Sequence, residues 1–141
     1  MLHLMTSAST IGSKQVSLSQ HLFSHAKAPD DLRHLILEIA KAAKYIQFEL
    51  RTTDTGLAGT KNIFGEEQVK LDVLSDRIIS EHLMESRLVA GLASEEQSDV
   101  LELHPKAPYS VAYDPLDGSS LVDVNFAIGS IFGIYAGADI V

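Results

Sequence analysis

The stretch Tyr109-Ser110-Val111-Ala112-Tyr113-Asp114-Pro115-Leu116-Asp117-Gly118-Ser119-Ser120 decides how the rest of the chain is read. Tyr109 to Tyr113 is a short run of small, β-branched and aromatic residues, which suits a buried strand. Pro115 fixes its own φ and drives Asp114 into an extended conformation. Asp114 and Asp117 are then expected to bracket a tight turn, with the Leu116 carbonyl between them. Gly118 permits close backbone approach, and the amides and hydroxyls of Ser119 and Ser120 can face an anion. Hard carboxylate and carbonyl oxygens suit magnesium or manganese better than zinc. One short segment can therefore present a dication beside a phosphate pocket. The alternative is an ordinary Asp-Pro turn with a glycine exit.

Outward from this segment, the pattern is strands after it and helices before it. Val124 to Ala136 is rich in Ile, Phe and Tyr and predicts a strand. Leu88 to Ala93 is a short apolar run and predicts another, ended by Ser94-Glu95-Glu96. Further upstream, Leu32, Leu35, Ile36, Ile39, Ala43, Ile46 and Leu50 recur at helical spacing. Pro29-Asp30-Asp31 supplies the start of that helix, expected over about 31–52. Thr52 to Asn62 carries Gly56 and Gly59 and reads as a loop. A second helix is expected over about 66–85, with Val69, Val73, Leu74, Ile78 and Leu83 as its apolar positions. Residues 1–28 read as an irregular arm that includes a short helix, and 29–141 as one folded unit. Helices followed by strands fit a layered α+β or α/β arrangement.

The chain has 141 residues, about one domain. With 45% hydrophobic and 21% charged residues, its composition is that of a globular domain rather than a disordered segment. The formal net charge is −8, so phosphate counterion release gives no drive toward nucleic acid. The absence of cysteine excludes a disulfide framework and a thiolate zinc site. No run of ~18 apolar residues predicts a membrane span, and the amino terminus lacks the pattern of a signal peptide, so the expectation is a cytoplasmic protein. From Leu88 onward Lys106 is the lone lysine or arginine, while Glu95, Glu96, Asp114 and Asp117 each follow a predicted strand. Ends of strands are where open α/β sheets build sites, and carboxylates clustered there repel one another unless a cation is shared. The alternative is a solvated acidic surface.

Three motifs together carry a family resemblance. Asp114 to Ser120, preceded by Ser94-Glu95-Glu96 and by Leu71-Asp72-Val73-Leu74-Ser75, resembles class I fructose-1,6-bisphosphatase in order and spacing. Gly129-Ser130-Ile131-Phe132-Gly133-Ile134-Tyr135 is similar to that family's next strand, and Phe23-Ser24-His25-Ala26 to the bacterial form of its arm. The inositol monophosphatase relatives share the Asp-Pro-x-Asp-Gly core, but usually follow it with Thr where Ser119-Ser120 stands here. The resemblance implies the layered αβαβα sugar-phosphatase fold, of which this chain is the amino-terminal part, lying before the substrate domain. It implies metal-dependent hydrolysis of the 1-phosphate of fructose 1,6-bisphosphate, within gluconeogenesis. It assigns Glu95, Asp114, Asp117, the Leu116 carbonyl and Glu67 to the metals, magnesium first and manganese second. It assigns Asp72 and Glu96 to the attacking water, and Gly118, Ser119 and Ser120 to the 1-phosphate. It also implies a homotetramer for the full-length enzyme, and no nucleic-acid or membrane partner.

Other positions are read as structural. His25, His34 and His82 lie in or near helices and take no catalytic role, and Asp76 and Glu81 are expected on solvated helix faces. Asp123 is a candidate second contact just past the motif, and Lys61-Asn62 a candidate anchor for the loop before Glu67. Three features depart from the family. Lys27-Ala28-Pro29-Asp30-Asp31 replaces its Thr-Gly-Glu turn, and Pro108-Tyr109 its Lys-Tyr pair, which argues against AMP inhibition. Leu121-Val122-Asp123 replaces Asn-Ile-Asp. The length is less than half that of the family enzymes, so the chain is expected to be a piece of a longer enzyme. The competing readings are hydrolysis of sedoheptulose 1,7-bisphosphate, hydrolysis of an inositol phosphate, or an inactive binding or oligomerisation module.

Overall fold

A computed structural model of the chain describes residues 15–53, 64–118 and 128–138, with side chains described at 15–52, 71–118 and 128–138. The order of elements is α1 (Leu18–Gln20), a π-helical turn (His21–His25), α2 (Asp30–Thr53), α3 (Phe64–Ser86), β1 (Val89–Ser94), β2 (Leu101–Glu102), β3 (Tyr109–Asp117) and β4 (Gly129–Ala136). The two long helices fall within two residues of the expected ends. The strand expected over 124–136 is β4; residues 124–127 lie outside the described residues.

The arm is tied to the start of α2. Arg33 carries two of these ties, a hydrogen bond to the Ala28 carbonyl at 3.2 Å and its guanidinium over the Phe23 ring at 4.9 Å, and is steadied by an ion pair with Asp30 in its own helix at 2.6 Å. A cation over an aromatic face is attracted by the ring quadrupole, which holds an otherwise short helical segment against its neighbour. Leu22 in the same turn is buried. Within α2 the inward stripe is Leu35, Ala42 and Ile46, flanked by Ile39 and Leu50. Ala42, not Ala43, is the buried alanine. In α3 the inward residues are Ile79 and Leu83, while Val73, expected inside, is 58% exposed. The helical period there is set by Ile79 and Leu83, and Val73 falls about 100° around the helix from them, off the buried stripe.

The sheet runs β2-β1-β3-β4. β2 lies antiparallel beside β1 through Gly91↔Glu102 and Leu92↔Leu101. The chain then passes along the amino end of β1, where His104 N–H donates to Val89 and Tyr109 N–H to Leu88. It enters β3 parallel to β1. β4 returns antiparallel on the outer side of β3; among the described residues it forms one edge of the sheet, and the two-residue β2 the other. Val89 and Leu92 of β1 and Val111, Tyr113 and Leu116 of β3 join the helical stripe in one core. Each fully buried aliphatic side chain there contributes roughly 1.5–3 kcal/mol. On β4, Ile134 and Phe132 extend that core. The Tyr113 and Phe132 rings, opposite one another in the register, stack at 5.9 Å.

The turn from α3 into β1 has a left-handed residue with a side chain. Arg87 sits at φ 58°, immediately after the helix, where glycine is the usual occupant. Its amide donates to Met84, and the Ser86 hydroxyl caps the exit by donating to Leu83 and accepting from Leu88 N–H. The left-handed conformation costs a side-chain-bearing residue roughly 1–2 kcal/mol, partly offset by the extra freedom glycine has when unfolded. Arg87→Gly is therefore expected to stabilise the chain by about 0.5–1 kcal/mol in urea unfolding; an unchanged or lower midpoint would show that the cap already absorbs the strain.

Candidate active site at the carboxyl ends of β1 and β3

Parallel pairing places two acidic motifs side by side. The register Ala93↔Ala112 and Ser94↔Tyr113 continues one step further, since Glu95 N–H donates to the Tyr113 carbonyl at 3.0 Å. Glu95 at the end of β1 is thereby brought beside Asp114 of β3. These carboxyls are close enough to share a proton. The Asp114 carboxyl holds Glu95 above the usual carboxylate range, reinforced by the negative charges of Glu96 and Asp117.

Asp114 and Asp117 do not bracket the tight turn expected from the sequence. Both lie within β3, which stays extended through Asp117. Between them is a β-bulge: Asp114 pairs with Ile131 and Asp117 with Gly129, so three steps on β3 match two on β4. In a regular strand, residues three apart face opposite sides. Here their partners are two apart and share a face, so the bulge turns Asp117 to the same side as Asp114. Pro115 suits this place because it has no amide to lose from the ladder. Asp114 Oδ1 accepts from Leu116 N–H at 3.0 Å, and Ser130 Oγ donates to the Pro115 carbonyl at 2.8 Å, which fixes the bulge from both sides. Gly118 follows with φ 82°, a left-handed conformation that glycine adopts without strain.

The second pair of acids comes from α3 and the turn after β1. Glu96 is held above the usual range, first by its partial burial and then by the charges of Asp72, Asp76 and Asp114. Asp72, Glu95, Glu96, Asp114 and Asp117 are thus linked by electrostatic interactions around the strand ends. Among the described residues no three His, Asp or Glu side chains are grouped so as to hold a metal ion. Glu95 and Asp114 line an open cleft together with Ala93, Ala112, Ile131 and Tyr135. The donor chemistry fits a hard divalent cation: oxygens alone, excess negative charge, and carboxyls whose repulsion a cation would relieve. Of the remaining expected site residues, Leu116 has a buried side chain within the bulge. Glu67 lies in α3, but its side chain is outside the described residues, as are Lys61, Asn62, Ser119, Ser120 and Asp123.

Asp76 corrects the sequence reading. It is not on a solvated face but 9% exposed, and accepts three short hydrogen bonds. These come from Ser94 Oγ at 2.5 Å, Tyr113 Oη at 2.7 Å and Gln97 Nε2 at 2.7 Å. A buried carboxylate is tolerated when its oxygens are satisfied in this way. Its position three and seven residues before Ile79 and Leu83, on the buried stripe, is the sequence signal for this placement. The other helix assignments stand: Glu81 is exposed near Arg77, and His82 Nδ1 lies 2.8 Å from the Ile78 carbonyl within its own helix.

Residues 10–140 match the family model for the fructose-1-6-bisphosphatase N-terminal domain. A class 1 fructose-1,6-bisphosphatase of Pelobacter propionicus is 54% identical over 128 residues, covering 89% of this chain and 39% of that protein. The class 1 fructose-1,6-bisphosphatase of Citrifermentans bemidjiense is 50% identical over 96% of this chain and 42% of its own length. The chain therefore spans about 40% of the length of these curated relatives. Among solved structures, the Leishmania major fructose-1,6-bisphosphatase in holo form superposes with a TM-score of 0.70 at 29% identity, covering 86% of this chain and 38% of that one. The shared fold is the mixed sheet with its helices. Among the described residues no helix is long and apolar enough to cross a membrane.

Two outcomes follow from the electrostatics. Asp114→Asn keeps an oxygen for Leu116 N–H and removes one of two touching charges, so it is expected to raise the thermal midpoint in metal-free buffer at neutral pH. A lowered midpoint would mean that Asp114 holds the bulge by its charge. The second outcome concerns Tyr113, whose phenol is pushed well above the ordinary tyrosine range by burial and by Asp76. The folded phenol keeps its proton where the unfolded one, at about 10, loses it. Stability is thus full below about pH 10 and falls as the pH rises toward the folded value, with a slope of up to ~1.4 kcal/mol per pH unit. Urea unfolding across pH 9–11 (roughly one unit either side of the unfolded value) is expected to show a shallower slope for Tyr113→Phe; equal slopes in the two proteins would refute it.

Proposed function

Because the chain belongs to the fructose-1,6-bisphosphatase family, as its amino-terminal domain, we propose that it carries the catalytic acids of an enzyme hydrolysing the 1-phosphate of fructose 1,6-bisphosphate. The products are fructose 6-phosphate and inorganic phosphate. The observation that supports this most is the meeting of Glu95 and Asp114 at the ends of two parallel strands, with Asp117 brought to the same face by the bulge. In this reading Glu95, Asp114, Asp117 and the Leu116 carbonyl hold a divalent cation, and Glu67 approaches from α3. When bound, such a cation supplies charge neutralisation on the phosphoryl oxygens.

The chain's own residues take the other roles at the 1-phosphate. Gly118, Ser119 and Ser120 receive the 1-phosphate through backbone amides and hydroxyls, which orient it without adding negative charge. Glu96 and Asp72 orient the attacking water and take its proton. Partial desolvation and neighbouring acids raise Glu96, which stays exposed, above the usual carboxylate range, which makes it a stronger base than an isolated glutamate. The water oxygen forms the new bond to phosphorus as the bond to the sugar oxygen breaks, and that oxygen leaves as the C1 hydroxyl after gaining a proton. Magnesium is the proposed cation, with manganese the alternative for the same oxygen donors. On the family resemblance, the same reading takes the enzyme to be a cytoplasmic homo-oligomer.

Phosphate release by the full-length protein with magnesium tests this. Fructose 1,6-bisphosphate is expected to be preferred over sedoheptulose 1,7-bisphosphate and over an inositol phosphate. Asp117→Ala is expected to lower turnover by roughly two to three orders of magnitude or more, on the scale seen when one transition-state charge stabiliser is lost. Near-normal turnover in that variant would remove Asp117 from the cation set. Preference for an inositol phosphate would overturn the substrate assignment.

A further inference from the structure

Asp76 bonds to both sides of the acidic end without belonging to the motifs that form it. Its Oδ1 accepts from Ser94 at the end of β1 and from Tyr113, the residue before Asp114 in β3. Its Oδ2 accepts from Gln97, the residue after Glu96. Ser94 and Gln97 flank Glu95-Glu96 on either side, and Tyr113 precedes Asp114. One buried carboxylate on α3 is thus bonded to three residues that adjoin three of the acids.

The hydrogen-bond directions make this a relay. A serine hydroxyl has one hydrogen to donate. Ser94 commits it to Asp76, so its oxygen is left to accept, and it accepts from Glu96 N–H at 3.2 Å. Gln97 N–H donates to the Ser94 carbonyl at 3.2 Å, and Glu95 N–H to Tyr113. All three amides of the turn are therefore held by residues that Asp76 itself holds. Removing the carboxylate frees the Ser94 rotor and takes the acceptor from its hydroxyl, and leaves the Tyr113 hydroxyl with only its longer contact to the Asp76 backbone carbonyl at 3.5 Å, a costly state.

We infer that Asp76 is a positioning residue that fixes the Glu95-Glu96 turn relative to Asp114 through Ser94, Gln97 and Tyr113. Its consequence for cation binding rests on the function proposed above; its effect on the turn does not. Hydrogen bonding, rather than charge, carries the role. Asparagine can reproduce it: its oxygen accepts from Ser94 and Tyr113, while its amide donates to Gln97 once the Gln97 amide is turned end for end.

The test combines amide hydrogen exchange with a Mn²⁺ titration on the full-length protein and its Asp76→Ala, Asp76→Asn and Ser94→Ala variants. Asp76→Ala is expected to speed exchange at the Glu96 and Gln97 amides at least ~10-fold relative to α2 amides such as Leu35 and Ile46, and to weaken Mn²⁺ binding by a similar factor. Asp76→Asn is expected to stay within ~3-fold of the parent in both readouts. Ser94→Ala, which cuts the relay while sparing Asp76, is expected to speed exchange at Glu96 and keeps the test decisive if Asp76→Ala does not fold. Exchange that rises only in step with the α2 amides, or an asparagine variant as impaired as alanine, overturns the positioning role. Local loosening in a parent that binds no Mn²⁺ supports the positioning role and overturns the cation reading instead.

Discussion

The parallel pairing of β1 with β3 is the constraint on which the acidic end depends. Two strands of opposite direction would send Glu95 and Asp114 to opposite ends of the sheet. Parallel strands bring both carboxyl ends to one side, and the Glu95 N–H to Tyr113 bond carries the ladder one step past the last regular pair. The pairing is maintained from beneath by the core, where Val89, Leu92, Val111 and Tyr113 meet Ile79 and Leu83 of α3. The apolar layer therefore does more than stabilise. It sets the register that decides which acids become neighbours, and so the hydrogen bonding, desolvation and repulsion that raise Glu95 and Glu96 above their usual range.

The bulge at Pro115-Leu116 supplies what pairing alone cannot. A regular β3 would alternate Asp114 and Asp117 across the sheet, with one in the cleft and the other toward the helices. One extra residue reverses that parity. Each part of the motif contributes to the reversal. Proline tolerates the break in the ladder, the Asp114 side chain holds Leu116, and Gly118 leaves the strand in a left-handed conformation. A motif that looks in one dimension like a turn is a strand with its alternation shifted by one.

Much of this is legible from the sequence because the helices are long and their apolar residues periodic. The strands around Leu88 and Tyr109 are legible because short apolar runs end in acids. β2 is not, since Leu101 and Glu102 are both exposed and two residues carry no periodicity. The bulge is hidden because Pro and Gly mark a turn and a bulge alike. Asp76 is hidden for a different reason. A carboxylate beside Arg77 on a charged helix is usually solvated, and the partners that make its burial tolerable, Ser94, Gln97 and Tyr113, lie between 18 and 37 residues away. Only the fold brings those donors to it.

The two edges of the sheet are unequal in a way that gives it a direction. On one side β2 offers two residues, too short to template a neighbour. On the other, β4 runs eight residues with Ile131 and Tyr135 exposed and half of its backbone groups turned away from β3. Edge strands of that length invite further pairing. A strand added to the described sheet beyond β4 would lie against the strand that carries Ile131 and Gly129, the register partners of Asp114 and Asp117.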